Sequence, residues 1–149
     1  MYSMHSATTT ATSREHLTDL LRAHGIAPTL QRIEIAHALF SRHEHMSADR
    51  IMDVVNIRHS ETSKATVYNT LRLFLEKRLI REVIVDPGKV FYDPNTAPHH
   101  HFFNMVSGEL TDIPADNLII AGVPRPLEGM QADSIDVIVR IRPRDAAAA

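Results

Sequence analysis

The spacing of apolar residues predicts four helices in the first half of the chain. Apolar positions recur every three or four residues in four stretches, each preceded by a serine or threonine that suits a helix start. The predicted helices lie at about 13–24, after Pro28 and Thr29, from Ser47, and from Ser63. This half of the chain is therefore predicted to be a helical domain.

The ends and faces of these helices follow from individual residues. Thr12 and Glu15 match a capping box at the first helix, and Gly25 stands where that helix would stop. The residues predicted to face the core in the second helix are Ile33, Ala36, Leu39 and Phe40. In the fourth helix the inward stripe is Val67, Leu71, Phe74 and Leu75. The opposite side of that helix carries the polar row Lys64, Tyr68 and Arg72.

The apolar period changes from helical to alternating after the fourth helix. The stretch "REVIVDPGKVFYD" predicts two short strands joined at Asp86, Pro87 and Gly88, which are turn residues. Helices followed by a hairpin are the element order of a winged helix-turn-helix. The polar row could then contact base edges in a major groove, with Lys89 of the hairpin tip against the backbone. A small α+β domain with a merely solvated helix face remains the alternative.

The last third of the chain predicts a second, smaller unit. A hairpin is predicted around Ser107 and Gly108, followed by a short apolar patch at 117–121, a proline-rich stretch and a final strand. In that strand the residues predicted to share one face are Ile135, Val137, Val139 and Ile141. A sheet of about three strands with one helix buries too little surface to stand alone, so we expect a homodimer.

These elements predict an α+β fold with two domains. The N-terminal winged helix-turn-helix domain spans 13–93, and a small α/β dimerisation domain spans 94–143. Residues 1–12 and 144–149 are predicted to be tails.

Composition and charge narrow the classes of function. The 149-residue chain is 44% hydrophobic and contains no cysteine, which excludes disulfides, zinc-thiolate sites and cysteine nucleophiles. It has no long apolar run, so we expect a cytoplasmic protein without a membrane partner. Residues 1–92 hold 12 Lys and Arg against 10 Asp and Glu, whereas residues 93–149 hold 4 against 8. A basic front half suits DNA better than the overall charge of −2 does.

A run of three histidines lies between two aspartates in the stretch "FYDPNTAPHHHFFNMVSGELTDI". Imidazole and carboxylate are common metal ligands, so the stretch predicts a metal site that uses nitrogen and oxygen. A solvated loop with a chance histidine run is the alternative, because composition alone identifies such sites.

The assembled motifs resemble those of the ferric uptake regulator superfamily of bacterial metal-dependent repressors. The resemblance covers about residues 14–142 and is carried by "PTLQR", "ATVYNTL", "GKVFYD" and the histidine run followed by "GELTDI". Most members also carry paired cysteines for a structural zinc, and this chain has no such site.

The resemblance implies a set of site residues. The regulatory metal ligands would be His45, Asp93, His99, His101 and Asp112. This mixed set suits one Fe(II) or Mn(II) per protomer, with Zn(II) as an in vitro competitor. DNA contacts would come from Arg32, Lys64, Tyr68, Asn69 and Arg72. Positions that would complete a second, auxiliary metal site are Pro98, Ile119 and Ile135, which cannot ligate through their side chains.

The resemblance therefore implies a transcriptional repressor on double-stranded operator DNA, and not an enzyme. Asp112 rather than glutamate resembles the peroxide-sensing branch, so peroxide or iron is the predicted signal. The cysteine-free chain also resembles iron response regulators that answer to haem, which would use His99, His100 and His101. A metalloenzyme is a distant alternative, since the sequence offers no phosphate loop and no general base outside the predicted ligands.

Overall fold

The computed structural model describes residues 12–42 and 44–145. The described residues form four helices and then five strands, in agreement with the predicted α+β class. The helices are α1 (Arg14–Ala23), α2 (Leu30–Phe40), α3 (Ala48–Asn56) and α4 (Lys64–Glu76). The strands are β1 (Arg81–Asp86), β2 (Lys89–Asp93), β3 (His101–Asn104), β4 (Leu110–Asp112) and β5 (Ile138–Ile141). Most of the two predicted tails lies outside the described residues.

The helix starts follow the predicted serines, with one correction. Ser47 and Ser63 are the N-caps of α3 and α4. At α1 the N-cap is Ser13 rather than Thr12, and Ser13 Oγ accepts a hydrogen bond from His16 N at 3.1 Å. The predicted capping box, with Thr12 as the N-cap, was therefore wrong by one residue. The hydroxyl of Thr12 instead donates to the carbonyl of Phe40. Gly25 ends the helix with φ 72°, as its position predicted.

The helices bury one apolar core between them. In the predicted stripe of α4, Val67, Leu71 and Phe74 are almost fully buried and Leu75 is partly buried. In α2 the predicted Ala36 and Leu39 are almost fully buried, whereas the predicted Ile33 and Phe40 are only partly buried. Ile35, which was not predicted to face the core, is also fully buried. This helix contacts α1, α3 and α4, so it buries side chains around most of its surface. Within the described part of the chain, no helix is long and apolar enough to cross a membrane.

The hairpin of β1 and β2 turns at Pro87 and Gly88, as predicted, and pairs Arg81 with Asp93 at its open end. One face of the hairpin packs on the helical core through Val90 and Tyr92, whereas the opposite face does not. Val83 and Val85 belong to a second buried cluster, which also includes Phe103 and Leu110 from the C-terminal sheet. Apolar contacts therefore cross the predicted domain boundary at residues 93 and 94.

The C-terminal sheet has the order β4-β3-β5. The hairpin of β3 and β4 was predicted, whereas β5 joins β3 in parallel. A helix was also predicted in this part, but the described residues 113–137 contain none. Pro124 and Pro126 lack the amide hydrogen that a helix requires, which explains part of this difference. Apolar side chains along this segment are left exposed, as at Ile119 with 83% and Leu127 with 80%.

The final strand is shorter than predicted, because β5 begins at Ile138 and does not include Ile135 or Val137. Ile138 packs inward against the second cluster, whereas Ile135, Val139 and Ile141 are 37–39% exposed. The apolar side formed by these three residues is thus exposed in the single chain.

Candidate metal centre and nucleic-acid interface

Five side chains from separate parts of the chain meet beside the hairpin. They are the five predicted ligands, His45, Asp93, His99, His101 and Asp112. His45 precedes α3, Asp93 ends β2, His99 and His101 flank the start of β3, and Asp112 ends β4. The cluster therefore draws on both sides of the predicted domain boundary.

Backbone hydrogen bonds bring these residues together. Met46 forms a bridge with Tyr92, whose N–H donates to the Met46 carbonyl at 2.9 Å. This bridge places the preceding His45 beside Asp93. His45 and Asp93 are distant in sequence, and they become neighbours because the loop before α3 pairs with the edge of the hairpin.

The second half of the cluster is set by the C-terminal sheet. His101 and Asp112 are directly opposed in the antiparallel pair of β3 and β4. Residues so opposed lie side by side on one face of the sheet. His101 is fully buried, whereas the side chain of Asp112 is 54% exposed.

Short distances join the imidazoles to the two carboxylates. His45 Nε2 lies 2.8 Å from Asp112 Oδ1, and His45 Nδ1 lies 3.5 Å from Asp93 Oδ2. His99 Nε2 lies 2.8 Å from Asp93 Oδ2 and 3.4 Å from Asp112 Oδ1. His101 Nε2 lies 3.3 Å from the same oxygen of each aspartate. Each imidazole thus faces both carboxylates.

This spacing suits a shared ion. One ligand atom from each of His45, Asp93, His101 and Asp112 lies within 4.8 Å of all the others. Adjacent ligands of one ion with bonds of about 2.1 Å are separated by about 3 Å, close to the distances observed. His99 lies outside that group of four but contacts both of its carboxylates. The donor set therefore fits a divalent metal.

The electrostatics of the cluster also favour a cation. Burial raises the pKa of Asp93, but hydrogen bonds from His101 and from the Asn95 N–H, with the nearby imidazoles, outweigh it and lower the pKa overall. Asp93 is thus an ionised carboxylate that is only 1% exposed. His101 Nδ1 is buried and has no hydrogen-bond partner within the described residues.

The middle histidine of the run points elsewhere. His100 Nδ1 accepts a hydrogen bond from Val137 N at 3.0 Å, on the side of β5. This placement agrees with the strand alternation of the three histidines. The three predicted haem ligands therefore do not present one common face, because His101 is buried with the carboxylates and His100 is held by backbone.

The predicted DNA contacts occupy two helices. Lys64, Tyr68, Asn69 and Arg72 are exposed along α4. Lys64 Nζ lies 3.9 Å from Asp49 Oδ1 and 5.8 Å from the centre of the Tyr68 ring. Arg32 lies instead in the first turn of α2, where its guanidinium donates to the Ala27 carbonyl at 2.9 Å. The structure brings the four α4 residues onto one helix and holds Arg32 apart.

Sequence reasoning missed several polar groups that hold the chain together. Glu34 is buried in α2 and accepts two hydrogen bonds from Arg14, at 2.6 and 3.0 Å. An acidic residue flanked by Ile33 and Ile35 was the available signal. Arg81 and Arg140, which join the hairpin to β5, gave no such signal because they sit in ordinary alternating strands.

The fold is that of a winged helix-turn-helix domain joined to a second sheet, with a cluster of histidine and aspartate between them. Residues 23–137 match the model of the ferric uptake regulator family. The chain belongs to the ferric uptake regulator family.

Individual relatives agree with this assignment. The chain is 33% identical over 92 residues to the peroxide-responsive repressor PerR of Staphylococcus epidermidis, covering 62% of this chain and 61% of that protein. The match therefore spans less than two thirds of the relative. The ferric uptake regulator of Vibrio cholerae has a similar fold, with a TM-score of 0.66 and 19% identity over 85% of this chain and 98% of that one. The ferric uptake regulator of Pseudomonas aeruginosa, solved with manganese, has a TM-score of 0.63 and 20% identity over 86% of this chain and 98% of that one.

Proposed function

We propose that this protein is a metal-dependent transcriptional repressor that binds operator DNA as a homodimer. The observation that carries the proposal is the convergence of three imidazoles and two carboxylates across the boundary between the helical domain and the C-terminal sheet. Membership of the ferric uptake regulator family and the similarity to a peroxide-responsive repressor support it.

Each proposed ligand has a place in the regulation. His45 and Asp93 belong to the winged-helix side, whereas His99, His101 and Asp112 belong to the sheet side. A bound divalent ion supplies bonds that cross the boundary, so these residues then fix the angle of the DNA-binding domain. The DNA-binding domain can then adopt one angle that is competent for DNA binding and another that is not. Metal stabilises the competent arrangement by the difference between its affinities for the two arrangements.

The ligand chemistry favours Fe(II) or Mn(II), one per protomer. Imidazole with carboxylate suits these ions, and Zn(II) competes by affinity alone. The Pseudomonas aeruginosa relative was solved with manganese, which supports the choice of Mn(II) as a probe.

DNA recognition is assigned to α4. Tyr68 and Arg72 lie four residues apart on its exposed side and would contact bases, and Lys64 at the first turn would contact phosphate. Asn69 and Arg32 are further contacts by family position. The open apolar face of β5 would pair with a second copy, which gives two reading helices related by symmetry.

The proposed signal is peroxide or iron, sensed through Fe(II). Position 112 carries aspartate, which is shorter than the glutamate that the alternative branch of the family would have. Its side chain is half-exposed, so solvent and small oxidants can reach that side of the cluster. Peroxide treatment of the Fe(II) form should then add one oxygen to His45 or His99, and mass spectrometry should find none on the Mn(II) form. An unmodified Fe(II) protein that haem releases from DNA would instead support the haem-responsive alternative.

The test of the whole proposal is retention of promoter DNA on a gel with Mn(II), Fe(II), haem or chelator. We expect Mn(II) and Fe(II) to support retention and chelator to abolish it. His45→Ala should lose this metal dependence, whereas His100→Ala is a matched control because His100 faces away from the carboxylates. Equal retention with metal and with chelator in the unaltered protein would refute the proposal.

A further inference from the structure

The hairpin and the C-terminal strand are joined by two hydrogen bonds that involve arginine. The guanidinium of Arg81, at the start of β1, donates to the carboxylate of Asp136. Arg140 Nη2, in β5, donates to the carbonyl of Val85 at 3.2 Å. The side chains of Arg81 and Asp136 are only 18% and 28% exposed, so solvent screens their attraction less than at an open surface.

Apolar packing fills the space between these two polar contacts. Ile138 lies midway between Asp136 and Arg140 and packs against the cluster that contains Val83 and Val85. In the hairpin, Val83 likewise lies midway between Arg81 and Val85, so the residues involved stand at every second position of both segments. We call this set the wing-sheet joint, and its members are Arg81, Val83, Val85, Asp136, Ile138 and Arg140.

The wing-sheet joint adjoins the candidate metal centre through the pairing of backbone strands. Arg81 is the strand partner of Asp93 in the pair of β1 and β2. Ile138 is the strand partner of His101 in the pair of β3 and β5. In addition, the N–H of His101 donates to the carbonyl of Val137 at 3.1 Å. The joint thus connects the neighbours of two proposed ligands that come from opposite sides of the domain boundary.

We infer that the wing-sheet joint positions the two halves of the metal centre before any metal binds. Arg81 and Asp136 act as positioning residues, because neither is a member of the ligand cluster. Arg81 is the strand partner of Asp93, and Asp136 precedes Val137, whose carbonyl accepts the hydrogen bond from His101 N. Metal binding then selects the arrangement that the joint already favours, so the joint and the metal stabilise the same arrangement. The inference rests on the proposed function for the identity of the ligand, a divalent cation, but the joint itself consists of residues outside the ligand set.

The expected effect follows from the population of the arranged state. Apparent affinity falls in proportion to the fraction of molecules in which the ligands are already in place. Loss of one half-buried ion pair should lower that fraction, and we expect Mn(II) affinity to drop about five- to tenfold. The stoichiometry should stay unchanged because every ligand remains.

The experiment is a double-mutant cycle on the full chain with Mn(II) as the probe. Mn(II) affinity is measured by competition with a chelator for Arg81→Ala, Asp136→Ala and the double variant. The reversed pair, Arg81→Asp with Asp136→Arg, tests rescue. Arg22→Ala is the matched control, because Arg22 pairs with Asp19 at 3.9 Å on an exposed helix surface. Hydrogen exchange at the His101 amide in the metal-free chain provides a second readout.

The inference requires three results together. Each single variant should bind Mn(II) more weakly than Arg22→Ala, the double variant should be no weaker than either single, and the His101 amide should exchange faster in all three. At least partial recovery in the reversed pair would exclude a merely structural loss. Wild-type affinity in both singles, or losses that multiply in the double, would overturn the inference.

The same measurements separate this inference from the proposed function. If the unaltered chain takes up no Mn(II), both fail. If the cycle shows coupling but DNA retention ignores metal, the proposed function alone fails and the joint stands. If DNA retention needs metal but the cycle shows no coupling, the joint alone is refuted.

Discussion

Removal of Asp93 and removal of Asp112 should have different effects on the metal-free protein, although both belong to the proposed ligand set. The side chain of Asp93 is 2% exposed, and its Oδ1 accepts a hydrogen bond from Asn95 N at 2.9 Å. Its other oxygen lies 2.8 Å from His99 Nε2. Asp112 is 54% exposed, and its shortest contact is the one with His45, at 2.8 Å. Asp93 therefore supports the fold as well as the metal centre.

Asp93→Ala and Asp112→Ala should lower the free energy of unfolding by clearly different amounts. Each hydrogen bond to a charged group contributes about 1.5–3 kcal/mol, part of which is offset when the buried carboxylate no longer needs to be desolvated. Asp93→Ala loses at least the bonds from Asn95 and His99, so we expect a loss of about 2–4 kcal/mol without metal. Asp112→Ala loses an exposed pair, so less than about 1 kcal/mol should be lost.

Urea unfolding in chelator, and again in Mn(II), measures both effects. Mn(II) at about a hundredfold excess over its dissociation constant should stabilise the unaltered chain by about 2.7 kcal/mol. Both variants should lose most of that increment, whereas Asp116→Ala, an exposed aspartate outside the cluster, should keep it. Equal losses for the two variants in chelator would refute the structural role of Asp93. A full Mn(II) increment in either variant would remove that residue from the ligand set.

Three further predictions concern the rest of the fold. The hydrogen bond from Arg14 lowers the pKa of Glu34, so Glu34→Gln should cost about 1–2 kcal/mol at neutral pH. This loss should shrink as pH falls below 4.5, and a pH-independent difference in urea unfolding would contradict it. Tyr68→Ala should cost about 1–3 kcal/mol in operator binding by gel shift, whereas Lys64→Ala should weaken all DNA sequences and flatten the salt dependence. Val139→Asp should give a monomer by sedimentation, and an intact dimer would place the interface elsewhere.

The sequence by itself determined the local elements of this protein. Helix starts at Ser47 and Ser63, the helix stop at Gly25 and the turn at Pro87 and Gly88 each depend on residues within one turn of chain. The inward stripe of α4 follows from the helical period alone. The five proposed ligands were identified from the family motifs in the sequence, and the structure brings their side chains together.

Tertiary structure decided the features that depend on residues far apart in the chain. The parallel pairing of β3 with β5, the burial of Glu34 against Arg14 and the contact of Arg81 with Asp136 have no local signal. Their partners are 20 to 55 residues away, and only the packing of whole elements selects them. The predicted helix within 113–137 was wrong because a local apolar patch does not specify the surface that would cover it. In the same way, the alternating pattern predicts that Val139 and Ile138 lie on opposite faces of the strand. Only the assembled sheet shows that the face with Val139 is exposed to solvent.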